Sequence, residues 1–586
     1  MANALYGHQR LSSLFHVFDL AYTIEGELVL KHGGEKNIIL SSDGARQGCV
    51  LGGILFCLGL HPILEEAHAL FPDVTIKAIM DDVNMWGHPD RVLECYDYID
   101  SQLFRVRLVS NEKTTLYPPK GYVVPKRYLP LPLLDEDGLH LHDANNLPMF
   151  TKGRITVDEK GCKILGTMRS RDPSHVKNFL EKKIKKGQTL FRRLEMLPPN
   201  QAFTLLQKCG IPRATYLIRT HATEVTRDYC DDFDRCVTVV AGHCAQRQLT
   251  EVSRETALLL HLPPKKGGLG LTVTTWIREA AFDASHKSCT ADKSLRPLPP
   301  NQETLVTVLN IALAKEVDDM GVVPRAHRSA CCEKFSSLWT TSLVGPFPSA
   351  AFSAMLRWRA VCYDSDVAQT TTCSGCMNVF PARDYHEHKP GCARLRSQNA
   401  TTTHTAFNRA VQNLCVRAGV TFIHEPRYEG YVSPDGPYAD EDHHHKEGPD
   451  LTVHLCPPLT VDFKGINGSA PSYARSKIST IEGAKTRAAE ALYQPFCEAA
   501  GEDFQVLCFH VCGRLDKKIL SLVSNLVAQR PETLVFKDEI RRLSVAIATA
   551  VGRILLRHGG TRPLCAEKAP GGGNADTAGV GAGRQQ

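Results

Sequence analysis

The stretch IKAIMDDVNMWG, residues 76–87, places two adjacent aspartates, Asp81 and Asp82, between two short apolar runs. Aspartate is a favoured turn residue, so apolar runs on both sides predict a hairpin with one strand before the pair and one after it. Paired carboxylates at such a turn can hold magnesium for phosphoryl transfer, although a lone pair of this kind is more often a solvated turn. The stretch therefore predicts strands, and its chemistry depends on what surrounds it.

The sequence around this hairpin mixes strand and helix patterns. Upstream, LVLKHGGEKNIIL predicts two strands joined at His32-Gly33-Gly34, and a glycine- and glutamine-rich turn from Ser41 precedes an apolar helix. From Pro173 onward, apolar residues recur near the helical period and predict a helical region to about residue 285. We therefore predict an α+β multidomain protein.

Length and composition agree with several globular domains. The chain has 586 residues, of which 43% are hydrophobic and 23% charged. The longest uncharged apolar stretch, Cys49 to Leu60, is too short for a membrane helix, and the N-terminal MANALYGHQR predicts no secretory signal. The 21 cysteines are then expected to be mostly reduced, and the net charge of +6 permits a nucleic-acid partner without requiring one.

A cysteine and histidine cluster lies in CSGCMNVFPARDYHEHKPGC, residues 373–392. The two-residue spacer between Cys373 and Cys376 lets both thiolates reach one metal, and Cys392 follows a short distance later. The fourth ligand is His388 or His386, and His388 is preferred because the three-residue gap to Cys392 is about one helical turn. Four protein ligands predict a structural Zn²⁺ site.

A second acidic pattern lies in GPDLTVHLCPPLTVDFKGIN, residues 448–467. Asp450 precedes one predicted strand, and Asp462 and Lys464 stand two apart on the next, hence on one face of the sheet. Two carboxylates on paired strands can hold Mg²⁺ while a lysine stabilises the charge that develops on a phosphate. The pattern resembles the PD-(D/E)-x-K nucleases, and it predicts catalytic roles for Asp450, Asp462 and Lys464.

The predicted helix after Pro173 carries a basic face that could grip a nucleic-acid backbone without reading its sequence. The alternative is that these basic residues only form the solvated face of a helix. The basic residues are Lys182, Lys183, Lys185, Lys186, Arg192 and Arg193.

Taken in order, these motifs resemble the site-specific non-LTR retrotransposon reverse transcriptases that carry a restriction-like endonuclease, such as the elements that insert into spliced-leader genes. The glycine-glutamine turn matches the family's segment for template and incoming nucleotide, through Gly44, Arg46, Gln47 and Gly48. Asp81 and Asp82 match its metal-binding box, and Lys113 in LVSNEKTTL matches the lysine near the incoming triphosphate. ILGTM, residues 164–168, matches the primer-grip region, and Lys485 is a weaker nuclease candidate.

The resemblance implies a succession of domains. They are a partial polymerase palm at 1–170, a helical thumb and connector at 171–285, a linker and helix at 286–330, a zinc-binding region at 331–396, a restriction-like endonuclease domain at 397–530, a C-terminal helix at 531–565 and a disordered tail at 566–586.

The resemblance also implies an activity, target-primed reverse transcription in the nucleus. Its cofactors would be Mg²⁺ at the polymerase and nuclease sites and structural Zn²⁺, and its partners chromosomal target DNA, the element's RNA template and dNTPs, with no membrane.

One departure from the family concerns the first catalytic aspartate, which the family carries well upstream of the glutamine-glycine turn. Before Ser41 this chain has one aspartate, Asp19, in a segment that resembles the stretch between the family's first catalytic strand and the glutamine-glycine turn, so Asp19 is expected to be structural, with the missing ligand as the alternative. We therefore expect an N-terminally truncated or mis-started copy that is defective in polymerisation. The alternatives are a metal-dependent nuclease without polymerase activity and an inactive nucleic-acid-binding remnant. Histidines 443–445 are expected to lie in an exposed loop.

Overall fold

The structure is a computed structural model of the whole chain. It describes residues 16, 19, 26–32, 35–41, 52–110, 114–129, 155–247, 252–290, 300–321, 323, 325–333, 335–341, 347–360, 370–381, 388, 392, 394–428, 448–470, 473 and 476–557. These residues are mostly helical with small sheets, so the predicted α+β class is confirmed. No described helix is both long and apolar enough to cross a membrane.

The elements alternate along the chain. The strands are β1 Gly26–His32, β2 Glu35–Ser41, β3 Thr75–Ile79, β4 Asp82–Trp86, β5 Thr115–Leu116, β6 Thr156–Val157, β7 Cys162–Ile164, β8 Thr167–Arg169, β9 Thr370–Thr372, β10 Val379–Pro381, β11 Phe422–His424, β12 Leu451–Val453, β13 Leu459–Ile466 and β14 Asp503–His510. The α-helices are α1 Gly52–Leu70, α2 Pro89–Gln102, α3 Pro173–Glu195, α4 Pro199–Leu205, α5 Pro212–Thr220, α6 Thr223–Ala245, α7 Arg254–His261, α8 Thr274–Thr290, α9 Gln302–Met320, α10 Arg325–Cys332, α11 Ser349–Arg359, α12 Arg396–Ala418, α13 Ile478–Ala499, α14 Lys517–Gln529 and α15 Phe536–Arg557.

The chain divides into two compact units, residues 1–180 and 181–586. The first unit contains antiparallel pairs β1–β2, β3–β4 and β7–β8 and a short parallel pair β5–β6. The two-strand prediction for LVLKHGGEKNIIL is confirmed, with His32 paired to Glu35 at the closed end. The finer seven-part division of the chain stays a prediction.

The core of the first unit forms where α1 and α2 pack beside the β3–β4 hairpin. Its fully buried members are Ile63, Ala67, Val74, Cys95 and Ile99. These residues come from both helices and from the turn before β3, so the core fixes the root of the hairpin. The tip, with Met80, Asp81 and Asp82, projects from this core and is exposed.

The predicted helix after Pro173 is confirmed as α3. Apolar residues at helical spacing, including Ile184 and Phe191, are buried on one face, and the ring of Phe191 meets that of Phe233 in α6 edge-on at 5.4 Å between centroids. Burial of such an amphipathic stripe stabilises a helix of this length more than local propensity does.

The second unit contains a four-stranded sheet in the order β11-β12-β13-β14. The first three strands are antiparallel, and β14 pairs parallel to β13 along its whole length after the crossover helix α13. From α12, Phe407 stacks on Phe509 of β14 at 4.4 Å and meets Phe463 of β13 edge-on at 5.2 Å. These ring contacts attach α12 to β13 and β14 of the sheet.

The C-terminal helix α15 packs closely against α11 and α12. At its contact with α11, a Cβ at Gly552 would lie 2.3 Å from the carbonyl oxygen of Ala351, so only glycine allows this approach. The predicted closing helix is thus part of the second unit's core.

Candidate functional site

The predicted cysteine and histidine cluster is assembled in the structure. One ligand atom from each of Cys373, Cys376, His388 and Cys392 lies within 4.8 Å of all the others. The sulfurs of Cys373 and Cys392 are 3.7 Å apart, and Cys376 Sγ lies 3.3 Å from His388 Nε2. A tetrahedral zinc with bonds of about 2.0–2.3 Å needs ligand atoms about 3.3–3.8 Å apart. The donor set and its spacing therefore fit zinc, and His386 lies outside the described residues.

Local structure prepares these ligands for a metal. A short hairpin, β9–β10, brings Cys376 back toward Cys373, and the ring of Phe380 stacks on that of His388 at 4.1 Å. Burial lowers the pKa of His388, which favours the neutral imidazole that binds metals. Burial raises the pKa of Cys373, but hydrogen bonds from the N–H groups of Cys376 and Gly375 outweigh it and hold that pKa below its ordinary value. The pKa shifts of Cys373 and His388 thus favour the protonation states that bind a metal, whereas burial raises the pKa of Cys392.

The predicted acidic residues Asp450 and Asp462 lie side by side in the four-stranded sheet. The β12–β13 pairing places Leu451 opposite Val461, one residue from each aspartate. The N–H of Asp450 donates to the carbonyl of Val461, and the N–H of Phe463 donates to the Asp450 carboxylate. Asp450 is 1% exposed and Asp462 is fully buried. Buried carboxylates are uncommon unless they are paired or bind metal, so this arrangement marks a candidate site.

Lys464 occupies the predicted position beside this pair. Its Nζ lies 2.6 Å from Asp462 Oδ2, and its side chain is 30% exposed. The long stem lets the ammonium group stand at the boundary between buried carboxylates and solvent. Lys464 is therefore the solvent-accessible member of this group.

The sequence-based prediction missed His404. This residue lies on α12, and its Nε2 is 3.0 Å from Asp450 Oδ2. Its spacing from Phe407, Val411 and Leu414 puts it on the buried face of the helix, which was the available signal: a histidine on an apolar face that is to pack against a sheet. With Phe463, His404 fixes one oxygen of Asp450.

Hydroxyl groups connect β12 and β13 at the residue pair next along the sheet from the aspartates. Thr452 and Thr460, two residues from Asp450 and Asp462, contact each other through their hydroxyls at 2.7 Å. Thr460 and Tyr428 both donate to the carboxylate of Glu502. Burial and the bond to Glu502 raise the pKa of Tyr428, so this hydroxyl remains a donor. The network fixes the strand pair that carries the aspartates.

Asp81 and Asp82 occupy the predicted turn, but in a different setting. Ile79 pairs with Asp82 around a turn of Met80 and Asp81, and both carboxylates are exposed. Met80 has φ +58° and contacts Cys57 of α1. Beside it lies a shallow, mostly apolar depression of about 440 Å³, lined by Gly53, Ile54, Cys57, Leu58, His61 and Met80. Within the described residues, neither this pair of aspartates nor the buried pair Asp450 and Asp462 belongs to a group of three metal-ligating side chains close enough to hold one ion.

The basic residues predicted to contact nucleic acid all lie on α3. Lys182, Lys185, Lys186, Arg192 and Arg193 are exposed, and Lys183 is half-buried. Lys185 forms an ion pair with Glu181 at 2.5 Å, one helical turn away. Such an exposed pair contributes little to stability, so it leaves the basic face available.

Some of the remaining predicted residues are described by the structure and others are not. Asp19 is described as an exposed helical residue, and its role stays a prediction. On α13, Tyr493 is buried near Phe504, and Lys485 stays a candidate. The predicted residues outside the described part are Gly44, Arg46, Gln47, Gly48, Lys113 and histidines 443–445.

Comparison with known proteins gives a partial relationship. No protein-family model matches the chain. A 296-residue region, 50% of the chain, is 24% identical to the "Retrotransposable element SLACS 132 kDa protein" of Trypanosoma brucei gambiense. The match covers 22% of the length of that protein. The similarity supports a retrotransposon relationship, which agrees with the resemblance seen in the motifs.

Proposed function

We propose that this chain is a retrotransposon-derived, magnesium-dependent DNA endonuclease whose active site is Asp450, Asp462 and Lys464. The observation that carries the proposal is the pair of buried aspartates beside each other with a lysine 2.6 Å from one of them. We propose further that its substrate is chromosomal DNA and that it acts in the nucleus, which would suit a retrotransposon-related protein.

The two carboxylates fit magnesium, which prefers oxygen ligands and keeps several waters, so it needs only one or two protein carboxylates. When bound there, magnesium would supply Lewis-acid stabilisation of the phosphodiester and its attacking water. Asp450, held through Oδ2 by His404 and the N–H of Phe463, would present its other oxygen to the metal. Lys464 would release Asp462 and donate to a phosphate oxygen as negative charge develops there.

The remaining features would hold substrate in place. The Cys373, Cys376, His388 and Cys392 cluster would bind structural Zn²⁺ and stabilise the region just before the nuclease sheet. The exposed basic face of α3 would contact phosphates of DNA or of the element's RNA template without reading their sequence.

A second candidate function is RNA-directed DNA polymerisation for target-primed reverse transcription. It is favoured by the two aspartates at a β-hairpin turn, Asp81 and Asp82, together with the glycine-glutamine turn and Lys113 of the sequence motifs. The nicked DNA would then supply the primer and dNTPs the substrate. The alternatives are a truncated copy that acts as a nuclease alone, and a nucleic-acid-binding remnant with neither activity.

A plasmid-nicking assay with the purified chain tests the nuclease proposal. We expect Mg²⁺-dependent conversion of supercoiled to nicked plasmid, abolished by Asp450→Ala or Asp462→Ala. Asp503→Ala is the matched control, because Asp503 is an exposed aspartate at the start of β14 in the same sheet. Nicking that survives both active-site substitutions would overturn the assignment.

Primer extension on an RNA template with Mg²⁺ and dNTPs tests the second candidate. Template-dependent synthesis that Asp81→Ala removes would establish polymerase activity, whereas nicking without synthesis would assign a nuclease alone.

A further inference from the structure

A buried cluster of sulfur, imidazole and guanidinium groups lies just beyond the end of β14. His327 and Cys331 lie on α10, and Arg359 is the last residue of α11. His510 is the last residue of β14, and Cys512 lies two positions after it. His327 Nε2 lies 3.4 Å from Cys331 Sγ, and the rings of His327 and His510 are 5.6 Å apart. The nuclease proposal uses none of these five side chains.

The two thiols of this cluster, Cys331 and Cys512, are hydrogen-bonded to each other, and their pKa values are shifted in opposite directions. Cys331 is 4% exposed, Cys512 is fully buried, and both are free cysteines. Burial raises the pKa of Cys331 well above its ordinary value, and the hydrogen bond to Cys512 adds to the rise. Burial acts in the same direction on Cys512, but the hydrogen bond from Cys331 and the neighbouring His510 and Arg359 hold the pKa of Cys512 well below its ordinary value. Cys331 is thus the thiol donor and Cys512 the thiolate acceptor.

Arg359 provides the second observation. Its side chain is 3% exposed, and within the described structure its Nε, Nη1 and Nη2 atoms have no hydrogen-bond partner. A buried guanidinium without any counter-charge is strongly unfavourable. As a thiolate, Cys512 would supply a counter-charge to Arg359, and the guanidinium in turn lowers the pKa of Cys512.

We propose that Cys331 and Cys512 form a redox-active dithiol, which a hydroperoxide such as hydrogen peroxide converts into an intramolecular disulfide. This proposal stands independently of the nuclease assignment. A metal centre is the other chemistry that cysteine and histidine suggest. Among the described residues, however, the Cys373–Cys392 cluster is the single group of three or more ligand side chains whose atoms gather closely enough for an ion.

The chemistry balances in two steps. The Cys512 thiolate attacks one peroxide oxygen, an S–O bond forms, the O–O bond breaks, and the departing hydroxide takes a proton to become water. Cys331 sulfur then attacks Cys512 sulfur, the S–S bond forms, the S–O bond breaks, and the Cys331 proton leaves with that oxygen as a second water. The two thiols lose two electrons in total, and the peroxide is reduced to two waters.

Two other buried cysteines, Cys244 and Cys415, lack this activation. Burial raises the pKa of Cys244 and of Cys415 to about 12, so both remain protonated at neutral pH. Because the thiolate is the reactive form, these cysteines are expected to be inert toward peroxide. The cluster therefore predicts selectivity among buried thiols.

A disulfide here would join α10 to the end of the nuclease sheet. β14 pairs with β13 in a register that places Asp462 beside Val506 and Lys464 beside Cys508. Cys512 follows the last residue of β14 by two positions. Oxidation would thus link α10 covalently to the segment that follows β14, and β14 is paired with the strand that carries Asp462.

The proposal is tested on the natural full-length chain. The reduced protein is treated with hydrogen peroxide at neutral pH, free thiols are alkylated, and peptides are analysed by mass spectrometry without reduction. We expect a Cys331–Cys512 cross-linked peptide that dithiothreitol removes, with Cys244 and Cys415 still alkylatable. Peroxide that oxidises the exposed Cys57 and Cys209 fully while Cys331 and Cys512 both remain free thiols would overturn the proposal.

Two variants identify the roles of the sulfurs. With Cys331→Ser, Cys512 should stop at the sulfenic acid, which dimedone traps as a stable adduct. With the matched variant Cys415→Ser, the cross-link should form as in the natural chain. If Cys512 formed a disulfide with a cysteine other than Cys331 in both variants, the assignment would also be overturned. None of these readouts depends on nuclease activity.

Discussion

The chain holds two pairs of aspartates in contrasting settings. Asp81 and Asp82 are adjacent in sequence but lie exposed at the tip of a two-stranded hairpin. Asp450 and Asp462 are twelve positions apart, yet the sheet buries both and surrounds them with Lys464, His404 and the N–H of Phe463. Burial and fixed partners orient carboxylates before a metal or substrate arrives, whereas exposed carboxylates must be ordered on binding. Closeness in the fold is therefore a stronger sign of a working site than closeness in the sequence.

The largest expected difference between the pairs is in DNA nicking. Asp462→Ala should lower the nicking rate by about 10²–10³-fold, the scale expected when a preorganised electrostatic group is removed. Asp82→Ala should leave the rate unchanged, because this residue is exposed at a hairpin turn and is not part of the sheet that holds Asp450 and Asp462. Rates are measured by plasmid conversion under single-turnover conditions. Equal losses from both substitutions would break the contrast between the pairs.

A smaller effect is expected from the histidine that holds Asp450. His404→Ala should lower nicking by about 10–100-fold, the range typical of residues that orient a metal ligand. His404→Gln should recover part of the loss, since an amide N–H can still donate to Asp450. His454→Ala is a matched control, because His454 is an exposed histidine beside the same sheet, bonded to Thr421. An unchanged rate with His404→Ala would show that Phe463 alone positions Asp450.

The pairs should also differ in stability. Asp450→Ala removes the acceptor of His404 and of the buried Phe463 N–H, so it should lower the free energy of unfolding by about 1–3 kcal/mol. Asp81→Ala should change it by less than about 0.5 kcal/mol, since the residue is exposed. Urea denaturation followed by circular dichroism measures both. A larger loss from Asp81→Ala would mean that the hairpin, and not the sheet, is the strained acidic site.

The sequence predicted local features well and distant contacts poorly. The hairpin at Asp81, the strands around Asp462 and the helix from Pro173 follow from patterns over a few residues, and the structure contains all three. The metal cluster was predicted from Cys-x-x-Cys spacing, and the structure brings His388 together with the three cysteines, while His386 lies outside the described residues. His404 was missed because it lies 46 positions before Asp450 and meets it only when α12 packs on the sheet through Phe407. Likewise, the Cys331–Cys512 contact joins elements far apart in the chain, and no local pattern encodes it.

The smallest expected effect concerns the backbone at the exposed pair. Met80 adopts a left-handed conformation, with φ +58°, which a non-glycine residue adopts at some cost. Met80→Gly should relieve that cost, but a glycine makes the unfolded chain more favourable by about 0.4–1 kcal/mol and loses the contact with Cys57, so the net change in stability should be small. The melting temperature of the variant measures the balance. A marked destabilisation would show that the side chain of Met80, rather than the turn geometry, maintains the hairpin.

The most direct test of the contrast is to map where a divalent cation binds. Fe²⁺ can replace Mg²⁺ at oxygen-ligand sites, and with ascorbate and peroxide it cleaves the polypeptide next to the bound ion. The natural chain should give fragments that end near residues 450 and 462, and Asp462→Asn should remove them while Asp81→Asn leaves them intact. Fragments ending near residue 81, with none near 462, would contradict the assignment of the buried pair as the metal site.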